Sequence, residues 1–211
     1  PALGGEEKLK ASVTYAQAKG YQVVGHSSFR DCYMIADTWD AEYVVEKNPD
    51  GTLRRGKTTW GGGRLYTMCP QRAYERFCPK QCAEMATLGF RGLFYVDVVT
   101  SRPLFPCRDP RHRLNNSERA VWENNIMREL QRTFGGSASE SGFDFCAGTC
   151  DSALNVQWVS PLEPPRNPIV DGYAPVWQMV YNGIILSNPF RSSINGHLCP
   201  DRRCWLKTVE F

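Results

Sequence analysis

The chain has 211 residues, 42% of them hydrophobic and 12% aromatic, which suits one sizeable core and excludes a disordered chain. Its net charge of +3 is small and evenly spread, which argues against a nucleic-acid partner. No apolar run nears the roughly 20 residues of a membrane span, so no membrane partner is expected.

In chain order, "EEKLKASVTYAQAKGY" reads as a helix closed by Gly20 and leading into the apolar run "YQVVGHSSF". A polar loop around "NPDGTLRRGKTTWGGG" follows. The next helix, "QRAYERFCPKQCAEMATLGF", is closed by Gly89, is kinked by Pro79, and feeds the strand "RGLFYVDVV". A third helix, "NSERAVWENNIMRELQRTFGG", has Asn116 or Ser117 as its N-cap and Gly135 and Gly136 as its close. Along it, Val121, Ile126, Met127, Leu130 and Phe134 are expected to face the core, with Glu118, Glu123, Arg128 and Arg132 solvated. "SASESGFDF" and then "APVWQMVYNGIIL" complete an alternation of helix and strand in steps of roughly 40–50 residues. The fold class this predicts is α/β, a partial (β/α)8 barrel.

Such folds place their chemistry at the C-terminal ends of the strands. The first strand ends in His26, with Asp31 and Tyr33 beyond it. The second ends in Asp97, a carboxylate closing an apolar run, where a charge must be paired, solvated or used. The third segment presents Glu140 and then Asp144, and the last offers Gln178, Tyr181 and Asn182. Two carboxylates at one barrel rim are the parts of a glycosidase. Each has a plainer reading: Asp97 as a turn or cap residue, Glu140 as a solvated loop residue, and His26 as a structural histidine.

The nine cysteines form no paired C-x-x-C cluster, and His26, His112 and His197 do not cluster with them in sequence. They read as small buried hydrophobes, with no metal site and no zinc at Cys78 and Cys82. The odd count favours reduced thiols and a cytoplasmic setting; no secretory leader shows at "PALGGEEKLKASV".

"GLFYVDVVTSRP" followed by "SASESGFDF", with "VVGHSSFRDCY" upstream and "PVWQMVYNG" downstream, resembles glycoside hydrolase family 129. These are α-N-acetylgalactosaminidases related to the endo-acting family 101, which removes mucin-type O-glycans. The resemblance runs over most of the chain in the right order. It implies a retaining α-glycosidase on a (β/α)8-type barrel, with Asp97 as nucleophile and Glu140 as general acid/base. It implies a carbohydrate partner and no required cofactor; a calcium ion on hard oxygen ligands near the pocket is compatible with it. Tyr95 shares the face of Asp97, and Asp144 stands close enough in sequence to favour a proton on Glu140. His26, Asp31, Tyr33, Gln178 and Asn182 complete the expected sugar contacts. Trp60, on "TTWGGG", which reads as a flexible loop tip, is preferred over Trp39 and Trp177 for stacking on a sugar face.

Two positions depart from the family pattern: Ser28 in place of an asparagine, and Asn182-Gly183 in place of a histidine-glycine pair. A complete barrel takes roughly 250 residues. Residues 1–211 therefore read as the C-terminal portion of a barrel whose first strands are missing. Two other classes compete: a carbohydrate-binding barrel without turnover, and a metal-dependent hydrolase built on His26, Asp31, Asp97 and Asp144.

Overall fold

The computed structural model describes residues 4–154, 156 and 176–187. Helix α1 (Gly5–Ala18) leads into strand β1 (Gly25–Ser27). Strands β2 (Asp31–Tyr33), β3 (Arg55–Trp60) and β4 (Gly63–Thr67) follow, then helices α2 (Pro70–Arg76) and α3 (Cys78–Thr87). Strand β5 (Phe94–Val96), helix α4 (Asn116–Phe134) and strand β6 (Ser137–Glu140) form the centre. A 3₁₀ turn at Asp144–Cys146, strand β7 (Ser152–Leu154), helix α5 (Val176–Tyr181) and strand β8 (Leu186–Ser187) close the series.

One sheet is entirely parallel, in the order β1-β5-β6-β7-β8. That order follows the chain once β2, β3 and β4 are set aside, as successive strands of a (β/α)8 barrel do. The fold is thus a partial barrel, as the alternation predicts. The expected polar loop after β1 is instead a second, antiparallel sheet, β2-β4-β3. Its outermost strand, β3, is "RGKTTW", mostly exposed and without apolar alternation, so no strand period was visible in it. The segment "VWQMVY", read as strand, is helical; the strands of that region are the very short β7 and β8.

The core lies between the parallel sheet and helices α2, α3 and α4. Phe94 stacks on Phe134 at 4.2 Å between ring centroids, and Phe90 meets Phe94 edge-on. Gly25 on β1 lies so close to this cluster that an added Cβ would come 2.2 Å from the Phe94 ring. Ile126, Met127, Leu130 and Phe134 are buried as expected, and Glu118, Arg128 and Arg132 are exposed. Two expectations for α4 fail: Val121 is exposed and Glu123 is buried. Glu123 is drawn in by Arg119, whose Nε donates to its Oε1 at 2.7 Å, while Arg119 Nη1 also donates to buried Glu46. The N-cap is Asn115, not Asn116 or Ser117. Its side chain accepts from Glu118 N–H at 2.9 Å and Glu118 returns a bond to Asn115 N–H at 2.8 Å, a capping box. Gly135 closes the helix in the left-handed region. The Pro79 kink is a full break, between α2 and α3 at Phe77.

Of the cysteines described, Cys32 is half-buried and Cys69, Cys78, Cys82, Cys107, Cys146 and Cys150 are buried, all as free thiols. Cys199, Cys204 and His197 lie outside the described residues. Among the described residues no helix is long and apolar enough to cross a membrane.

Candidate active site

β5 turns Phe94 and Val96 toward the helices, so strand alternation turns Tyr95 and Asp97 to the opposite face. The parallel register pairs Tyr95 with His26 on one side and with Ala138 on the other. One more step along β5 and β6 sets Asp97 beside Glu140, on strands about 4.8 Å apart and on the same face of the pleat. The Asp97 N–H donates to Ser27 O at 2.8 Å, so the chain is still paired at that point. Both carboxylates are half-buried at the C-terminal end of the sheet.

Each is followed at once by a residue in the left-handed region: Val98 at φ 53° and Ser141 at φ 54°. No other non-glycine residue described has a positive φ. A β-branched valine there is strained, and such strain persists only where surrounding structure fixes it, commonly at functional sites. Thr100 supplies much of that fixing. Its Oγ1 donates to Glu140 O at 2.9 Å and stands 3.2 Å from Ser141 O, and its N–H donates to Ser139 Oγ at 3.3 Å. The loop after Asp97 is thereby clamped to the strand carrying Glu140. Nothing in the sequence marks Thr100, because its partners lie on another strand.

The Tyr95 hydroxyl donates to Asp97 Oδ1 at 2.8 Å. Burial raises the Tyr95 hydroxyl well above its ordinary value, and the Asp97 carboxylate adds to this, so Tyr95 stays a donor. His26, exposed on β1, lies 5.1 Å from the Tyr95 ring. Ser28 Oγ accepts from the Asp31 N–H at 3.2 Å, a turn that sets Asp31 just past β1. Asp31 and Tyr33 both feel the Asp97 charge, so β2 belongs to the same neighbourhood. Trp60 is 63% exposed and ends strand β3 rather than a flexible loop. The turn after it brings Gly62 against Tyr33, where an added Cβ would come 2.7 Å from the ring. Trp60 itself lies on β3, separated from the Asp31–Tyr33 strand by β4. Trp39 packs edge-on against Tyr66 instead.

The remaining expected residues part company. Asp144 is exposed at the 3₁₀ turn beyond Glu140. Trp177 lies against Gly142, where a Cβ would come 2.2 Å from the indole. Asn182 is a correction: it lies at the other end of the sheet, lining a cavity of about 410 Å³ with Asp151 and residues 183–187. Asp151 precedes β7, and its carboxylate accepts from Ser137 N–H at the start of β6. The cause is the helical fold of "VWQMVY", which makes 182–185 the entry to β8 and not the exit of a strand. Gln178 is on α5, again not at a strand end, and its side chain lies outside the described residues. Among the described residues, His26, Asp31, Asp97 and Asp144 do not bring three ligand atoms within 4.8 Å of one another.

Burial pushes the Asp31 carboxyl up to about 6, with Asp97 adding to the rise and Arg30 opposing it. A raised carboxyl favours folding when protonated. That contribution is full below about pH 3.8 and is lost as pH rises through about 6. Asp31→Asn should therefore stabilise the fold by about 1–3 kcal/mol near pH 7 and by almost nothing near pH 4. Denaturant unfolding at the two pH values checks this; an equal effect at both would contradict it.

No protein-family model matches the chain, and no curated protein matches it by sequence. Among solved structures, the class it resembles is the glycoside hydrolase barrel: an α-galactosidase from Thermus thermophilus in complex with stachyose aligns with a TM-score of 0.52 at 12% identity, over 72% of this chain and 33% of that one. Nearer in shape is the α-N-acetylgalactosaminidase NagBb from Bifidobacterium bifidum, in complex with Gal-NHAc-DNJ. It aligns with a TM-score of 0.75 at 23% identity, over 86% of this chain. The same enzyme free of ligand gives 0.72. This chain spans only 29% of the length of that enzyme in the Gal-NHAc-DNJ complex.

Proposed function

We propose that the chain forms the catalytic strand ends of a retaining α-glycosidase of the family 129 type, acting on α-linked N-acetylgalactosamine of O-glycans. Asp97 is the nucleophile and Glu140 the general acid/base. The observation that supports this reading is the β5–β6 register, whose last pair, Val96 with Ser139, makes Asp97 and Glu140 the next residues of two neighbouring strands. A retaining enzyme needs its pair about 5–5.5 Å apart, close to the spacing of neighbouring strands. The solved α-N-acetylgalactosaminidase of similar fold supports the choice of sugar.

In this reading Asp97 attacks the anomeric carbon while Glu140 protonates the departing oxygen; Glu140 then takes a proton from water as the glycosyl–Asp97 ester is hydrolysed. The Tyr95 hydroxyl holds the nucleophile in line. His26, Asp31 and Tyr33 take sugar hydroxyls, and Trp60 offers a stacking face.

Glu140→Gln tests the assignment in the protein that carries this chain. Its rate should fall steeply on substrates with poor leaving groups and little on activated aryl glycosides, since only the former need a delivered proton. Azide should rescue the aryl substrate in Glu140→Ala and yield the α-azide. Equal slowing on both substrates would remove Glu140 from the acid role. Undiminished sugar binding with no turnover in the unmodified protein would favour a carbohydrate-binding barrel.

A further inference from the structure

Away from the carboxylates, a second cluster sits where the loop after β5 meets the start of α2. Cys107 and His112 lie on one tight excursion, closed by paired backbone bonds between Cys107 and Leu114 at 2.9 and 3.3 Å. Cys69 faces them from the position just before Pro70 of α2. All three side chains are buried, at 0%, 2% and 4% exposure for Cys69, Cys107 and His112. Their Sγ, Sγ and ring-nitrogen atoms all lie within 4.8 Å of one another, and Cys107 Sγ is 3.3 Å from His112 Nδ1.

We propose that Cys69, Cys107 and His112 bind a thiophilic divalent cation, zinc being the representative, as a structural clasp on the loop that follows Asp97. With zinc–sulfur bonds of about 2.3 Å and zinc–nitrogen bonds of about 2.0–2.1 Å, tetrahedral ligand atoms lie about 3.5–3.8 Å apart. The three ligand atoms, already within 4.8 Å of one another, stand close to that spacing. Two thiolates and a neutral imidazole balance the charge of the ion, which suits so buried a place. The outer ring nitrogen of His112 is also arranged for the role. His112 Nε2 is buried without a hydrogen-bond partner, yet lies 3.6 Å from Asp109 Oδ2. A histidine that ligates through Nδ1 carries its proton on Nε2, and a carboxylate is the usual acceptor for it. Asp109, fully buried, is itself held by Arg111 at 3.0 Å and Lys47 at 3.4 Å. Three protein ligands leave one tetrahedral position for a single water molecule enclosed with the ion.

The clasp joins two segments far apart in sequence, which is why cysteine spacing predicts no metal here. It holds one end of the 98–115 loop on α2, while Thr100 holds the other on β6.

The full chain, purified without added metal, should carry about one zinc by elemental analysis. Exchange for cobalt should give the thiolate-to-cobalt charge-transfer band and the visible bands of a tetrahedral site. Both signals should vanish in Cys69→Ser and in Cys107→Ser, and persist in a Cys78→Ser, Cys82→Ser double variant. Because the first two variants risk misfolding, the unmodified folded chain is also titrated with zinc against a chromophoric chelator, where it should compete. No zinc and no cobalt–thiolate band in folded protein would overturn the proposal. So would a band that survives loss of Cys69 and Cys107, or a Cys69–Cys107 disulfide found in place of the metal.

Discussion

Asp97→Asn should abolish turnover while leaving the fold nearly untouched. The change keeps the side-chain volume and the bond from the Tyr95 hydroxyl, since an amide oxygen still accepts. It removes the negative charge that stabilises an oxocarbenium-like centre and the anionic oxygen that forms the glycosyl ester. A loss of at least about 10³-fold in kcat is expected on any α-N-acetylgalactosaminide, because nucleophile and charge go together. Steady-state rates with a thermal melt read both halves of the expectation. A variant within tenfold of the unmodified rate would make Asp97 a bystander; one that melts much earlier would make it structural.

Arg119→Met should have the largest effect on stability. Arg119 is 1% exposed and joins Glu46 from the segment after β2 to Glu123 on its own helix. Its guanidinium carbon also lies 3.9 Å from the centroid of the Phe105 ring, and that of Arg54 lies 3.8 Å from it. Without it, two buried carboxyls lose their main partner, at a cost of about 3–5 kcal/mol near neutral pH. Burial already pushes Glu123 up to about 7 and raises Glu46, against the pull of Arg119. With that pull gone both rise further, so the deficit should shrink as the pH is lowered and the carboxyls protonate. Adding Glu46→Gln and Glu123→Gln should recover much of the loss. A deficit under about 1 kcal/mol in the single variant would mean that water reaches the network.

The parts of the protein legible in its sequence are those whose signals are local. "GLFYVDVV" announces a strand and its terminal carboxylate, and the glycine-closed helix before Ser137 announces the next strand and Glu140. Their common face follows from alternation alone. The rest depends on partners distant in the chain. Glu123 reads as solvated because Glu46 and Arg54, which complete its network, lie in another part of the sequence. The antiparallel sheet hides because β3 is solvent-facing and carries arginine, glycine and lysine where apolar residues would mark a strand. "VWQMVY" has strand-like composition and is helical, since tertiary packing of Trp177 and Tyr181 outweighs a weak propensity. That helix is why Asn182 and Gln178 are not at strand ends. The strain at Val98 and Ser141 has no sequence signature at all.

The most direct test of the paired-carboxylate account is the configuration of the first sugar released. With an aryl α-N-acetylgalactosaminide and the protein that carries this chain, proton NMR at early time should show the α anomer appearing first, with the β anomer growing only as mutarotation proceeds. Double displacement through Asp97 requires that order. If the β anomer appears first, water attacks the sugar directly, and Asp97 and Glu140 do not act as a retaining pair.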